Sequence, residues 1–183
     1  MSLSKWIFKA AGWHYKGGIP EGIKKCVLVA APHTSNWDYV WARLVFNFLG
    51  ANVRMLIKKE AFFWPLGGLL KKLGGIPVDR SKKGQSVQQI AKLFEEHDEL
   101  IILFTPEGTR KYSPDWKRGF YYASEMANVP IVLGYLDYAT KTGCISHEFK
   151  KTGNIDADIE TIKEFYKNFQ GKYPNQGVLP TSK

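Results

Sequence analysis

The stretch CVLVAAPHTSNWDYVWARLVFNFLG, residues 26–50, changes character twice. Its first five residues are apolar without a break. That is strand length, and a run apolar at both alternate positions suits a strand covered on both sides. From Asn36 to Leu49 the apolar residues fall at helical spacing, with Val40, Leu44, Val45 and Phe48 on one face, and Gly50 ends the segment. Between the two lies a short polar loop around His33, Thr34 and Ser35. A buried strand, a loop and a helix in that order is one step of an α/β fold.

The alternation continues along the chain. Residues 52–58, 75–79, 99–106 and 129–138 read as strands. Residues 84–97 read as the clearest helix, with Ser86 and Gln89 as a capping box and Val87, Ile90, Ala91 and Phe94 on one face. Helices are also expected over 115–128 and over 156–169, the latter with Ile159, Ile162, Phe165 and Phe169 inward. The segment 60–74 is helical but interrupted by Pro65 and by Gly67-Gly68. Residues 144–150 add an antiparallel neighbour, and residues 171–183 read as a tail. The expected fold class is α/β: a single mixed, largely parallel sheet flanked by helices, in one domain spanning residues 1–183.

Composition narrows the partners. The net charge is +9, from 26 basic and 17 acidic residues. A basic surface favours phosphate-bearing partners, whether lipid, nucleotide or nucleic acid. No RNA-binding motif accompanies it, so nucleic acid is not expected. Cys26 and Cys144 stand far apart and outside any Cys/His cluster, so no metal site is expected. No run reaches the roughly 18–20 apolar residues of a spanning helix. Residues 1–18 read as a short amphipathic helix in which Leu3, Trp6, Ile7 and Ala10 recur at helical spacing between lysines. Such a segment either lies in a membrane interface or packs on the domain.

Three predicted strand ends carry polar clusters: His33 to Asp38, Asp79-Arg80, and TPEGTR at 105–110. If the strands are parallel, all three share the carboxyl edge of the sheet, where α/β sites gather. Five residues of regular helix turn a side chain through about 500°, so His33 and Asp38 meet only if His33 sits in the turn before the helix. Asp38 on one ring nitrogen would then leave the other free as a base. Ser35 and Asp38 also form an S-x-x-D capping box, and the sequence leaves both readings open. Arg110, Arg80 and Lys117 could hold an anion beside that base. Glu107 could accept from a hydroxyl or orient the arginine, and Gly108 lets backbone approach a ligand closely.

As a set, these residues resemble a known family. HTSNWD (33–38) looks like the HxxxxD motif of the glycerolipid acyltransferase superfamily, typified by 1-acylglycerol-3-phosphate acyltransferases. FTPEGTR (104–110) is similar to its FPEGTR motif, KKEAFFWPLGGLLKKLGGIPVDRS (58–81) to its second block, and VPIVL (129–133) to its V-P-I-x-P block. The order and spacing match the family over residues 31–133. Three departures stand out: Leu133 replaces the usual proline, Thr105 separates Phe104 from Pro106, and Pro77 lies inside the second block.

The resemblance implies a glycerol-phosphate acyltransferase-like fold and direct transfer of a fatty acyl group from a thioester to a hydroxyl. It implies His33 as general base and Asp38 as its orienting partner. Glu107, Gly108, Thr109 and Arg110 would hold the acceptor, with Arg110 and Arg80 on its phosphate and Lys117 nearby. No bound cofactor or metal is implied. The donor would be acyl-coenzyme A or acyl-acyl carrier protein. The acceptor would be a lysophospholipid: lysophosphatidate, another lysophospholipid or a lyso-aminolipid. Family members work at a membrane face, so a cytoplasmic protein peripherally bound to the membrane is expected. An acyl thioesterase and a non-catalytic phospholipid-binding domain are the alternatives.

Overall fold

The computed structural model describes residues 2–79 and 85–177, with the Gln85 side chain left aside. Its frame is one seven-stranded sheet in the order β1-β7-β6-β2-β5-β3-β4. The strands are β1 (His14–Gly17), β2 (Lys25–Ala30), β3 (Val53–Lys58), β4 (Gly75–Val78), β5 (Leu100–Phe104), β6 (Ile131–Asp137) and β7 (Thr142–Phe149). Strands β2 to β6 run parallel; β7 turns back antiparallel to β6 and carries β1 parallel beside it. A single mixed, largely parallel sheet is thus confirmed.

The continuous apolar runs explain the centre of the sheet. In β2, Val27 and Val29 face one side and Cys26 and Leu28 the other, and all four are buried. The helices are α1 (Leu3–Ala10), α2 (Trp37–Leu49), α3 (Leu66–Lys72), α4 (Gln85–Glu96), α5 (Gly119–Met126) and α6 (Ile155–Tyr166). One layer packs Phe8 of α1 and Val45 and Phe46 of α2 on Leu28, Met55 and Ile145. The other packs Ile90, Phe94, Phe120, Ile162 and Tyr166 on Val27, Ile102 and Leu133. Gly50 closes α2 at φ 67°, a left-handed cap that costs glycine little.

Several local expectations are corrected. Residues 1–18 are not one helix: α1 ends at Ala10, Trp13 is buried, and β1 follows. The sequence HYKG carries no apolar alternation because it lies exposed at the sheet edge, where burial does not select for it. The α2 face turns differently, with Val40 exposed and Phe46 buried. Ser86 stands inside α4 rather than capping it. Residues 171–177 are no loose tail, since Gly171 is buried and the Tyr173 amide donates to Thr34 Oγ1 at 3.2 Å. Residues 178–183 lie outside the described part of the chain.

Candidate active site

Because β2, β4 and β5 are parallel, the loops after them open on one edge of the sheet. The loop after β2 carries His33 and feeds α2, whose first turn carries Asp38. His33 Nδ1 lies 3.0 Å from Asp38 Oδ2. The same Oδ2 accepts from the amides of Thr34 and Ser35, each at 2.9 Å. One carboxylate thus satisfies two amides of the loop that enters α2 and holds the histidine. The expected approach of Asp38 to the imidazole is seen, whereas the Asp38 amide bonds the Ser35 carbonyl rather than its hydroxyl, so the expected capping box is not completed. Ser35 Oγ meanwhile accepts from the Trp37 amide at 3.2 Å.

The pair is asymmetric in exposure. The His33 side chain is 26% exposed and the Asp38 side chain 10%. With Nδ1 on Asp38, Nε2 has no protein partner among the described residues, and His33 lines a cavity of about 1120 Å³. Arg110, Thr109, Gly108, Lys117 and Lys58 line the same cavity. Much of its remaining lining is apolar: Leu28, Ala42, Val45 and Phe46 from β2 and α2, and Leu56, Val87 and Ile90 from β3 and α4. The Arg110 guanidinium bonds the Asn36 side chain at the start of α2, which ties the two loops together. Gly108 sits at φ 66° with the Lys117 stem against it, so a side chain there would be strained and crowded.

Glu107 departs from its expected role. It is buried, does not line the cavity, and takes the His33 amide on Oε1 at 2.9 Å. It therefore anchors the backbone of the His33 loop rather than reaching for a hydroxyl or for Arg110. Burial pushes its carboxyl up to about 7, against the bonds from its own amide and that of His33. Arg80 lies outside the described residues.

One site residue escapes motif reasoning. Tyr138, just beyond β6, donates from its hydroxyl to Asp38 Oδ1 at 2.6 Å. Burial, and then the bond to Asp38, raise this phenol well above its ordinary range, so it remains a donor. It stands at a strand's carboxyl end, a position too general to single it out in the sequence. The assembled site can hold a proton acceptor at Nε2, an anion at Arg110 and Lys117, and an apolar chain between α2 and the sheet.

Known proteins resemble this chain in sequence family and in fold. Residues 14–144 match the Acyltransferase family. No curated protein matches the chain. Its fold is similar to that of the 1-acyl-sn-glycerophosphate (LPA) acyltransferase PlsC from Thermotoga maritima, with a TM-score of 0.58 at 16% identity, over 89% of this chain and 75% of that one.

Proposed function

Since the chain belongs to the acyltransferase family, we propose that it moves a fatty acyl group from a thioester to a hydroxyl of a lysophospholipid-type acceptor. The observation that carries this reading is the His33–Asp38 pair, with His33 lining a cavity walled by both basic and apolar side chains. Nε2 takes the proton of the acceptor hydroxyl as its oxygen attacks the thioester carbonyl. The tetrahedral intermediate then collapses, the carbon–sulfur bond breaks, and the imidazolium returns the proton to the departing thiolate. No acyl-enzyme forms. Asp38 holds the Nδ1 proton and balances the imidazolium charge. Arg110 and Lys117 meet the acceptor phosphate, and the apolar walls take an acyl chain at about 0.8 kcal/mol per buried methylene.

Acceptor-dependent thiol release tests the reading, with acyl-coenzyme A and acyl-acyl carrier protein as donors. Lysophosphatidate should be used well, and monoacylglycerol, which lacks the phosphate, poorly. Arg110→Ala should lower kcat/KM for lysophosphatidate by about 10- to 100-fold and leave monoacylglycerol unchanged. An unaltered acceptor profile removes the phosphate role. Release that ignores the acceptor makes the protein a thioesterase.

The reaction is proposed to take place at an anionic bilayer surface. Among the described residues no helix is long and apolar enough to cross a membrane. However, α1 turns Leu3, Trp6 and Ile7 outward, and the 62–69 segment exposes Phe63, Leu66, Leu69 and a Trp64 that is 92% accessible. Exposed Lys5 and Lys9 flank the first set, and Lys71 and Lys72 follow the second. Aromatic rings with adjacent lysines fit an interface that is apolar within and anionic at its surface. Trp6→Glu/Trp64→Glu should reduce sedimentation with phosphatidylglycerol vesicles by about tenfold or more. Undiminished binding would exclude this face.

A further inference from the structure

We propose that Tyr138 is a positioning residue for the His33–Asp38 pair, its hydroxyl setting the orientation of the Asp38 carboxylate toward the imidazole. The proposal rests on the reading of His33 as the base. Asp38 Oδ2 is already engaged by three donors, His33 Nδ1 and the amides of Thr34 and Ser35. Oδ1 has one donor among the described residues, the Tyr138 hydroxyl at 2.6 Å. Asp38 is buried, so an Oδ1 without that donor would carry an uncompensated desolvation cost. Turning the carboxylate about its Cβ–Cγ bond would recover a partner for Oδ1 only by disturbing the Oδ2 bond to His33. The hydroxyl therefore removes the carboxylate's one internal freedom that would misalign the base.

Tyr138 is itself held in place. Its ring stands edge-on to Trp13 with centroids 4.9 Å apart, and its amide donates to the Gln170 carbonyl at 2.8 Å. It arrives from β6, the strand that pairs with β2. The charge distribution matters as well as the geometry. A donor on Oδ1 draws negative charge away from Oδ2, which moderates the pull on the Nδ1 proton. A phenylalanine ring at 138 would keep the packing on Trp13 and remove this donor, together with the hydroxyl's bond to the Trp41 side chain.

The test compares wild type with Tyr138→Phe in the full chain. In acceptor-dependent thiol release, kcat should fall about tenfold while KM for the acceptor stays within about twofold. In proton NMR of the substrate-free protein, the downfield resonance of the His33 Nδ1 proton should shift. The resonance is assigned by its loss in His33→Ala. A purely structural role would lower the folded fraction without moving that resonance. A wild-type kcat, or a resonance at the wild-type position, overturns the proposal. If wild type itself transfers no acyl group, the reading of His33 as base fails, and the resonance alone decides the role of Tyr138.

Discussion

His33→Ala should remove acceptor-dependent thiol release by about a thousandfold, within the range a positioned general base supplies. The fold should survive the change. The ring is 26% exposed and its one described bond is to a carboxylate that keeps three other donors. Circular dichroism and thermal melting should thus match wild type while turnover disappears. Asp38→Asn should be nearly as damaging to the rate, since it no longer supports Nδ1–H and the imidazolium. It should also destabilise, because the same oxygen satisfies the Thr34 and Ser35 amides. A His33→Ala protein that still transfers acyl groups would place the base elsewhere.

Glu107→Gln should change how stability depends on pH. In the folded chain burial raises the Glu107 carboxyl from 4.5 to about 7, so the folded state holds a proton that the unfolded state releases. That contribution is fully present below about pH 4.5 and is lost as the pH rises through 7. The difference corresponds to about 3 kcal/mol. Glutamine stands in for the protonated acid and can still accept the His33 amide. Relative to wild type, the variant should therefore gain about that much in urea unfolding between pH 4.5 and pH 8. Other titrating groups are common to both proteins and cancel in the comparison. Parallel curves across this range would show that Glu107 does not hold a proton in the folded state.

The sheet was legible because its central strands are apolar on both faces, a pattern that follows from burial alone. CVLVA and LIILF need no tertiary knowledge to be read. The edge strand HYKG was illegible for the opposite reason, since only Tyr15 of its four residues is partly buried and its pairing depends on β7. The His33–Asp38 pairing could be reasoned from helix geometry because the two residues are only five apart, one in a loop and one in the first turn of the helix it feeds. Glu107 and Tyr138 could not, because each reaches the site across the fold. Glu107 has the composition of a ligand contact, and only its burial beneath the loop reveals an anchor. Tyr138 is one of nine tyrosines, with no spacing to distinguish it.

The loop at 33–38 has consequences for the order in which this protein becomes competent. It is fastened by Glu107, by Tyr138 and by Tyr173, at sequence separations of 74, 100 and 139 residues. Gly171 closes over Thr34 so tightly that a methyl group there would lie 2.5 Å from the threonine side chain. Contacts this remote in sequence are made late, after the local helices and neighbouring strands have formed. A nascent chain emerging from the ribosome therefore displays its HxxxxD segment long before that segment is held in shape. The three remote fastenings of the loop are complete only when residue 173 has left the tunnel and docked. Until then the half-made protein carries His33 and Asp38 without the remote bonds that hold their loop.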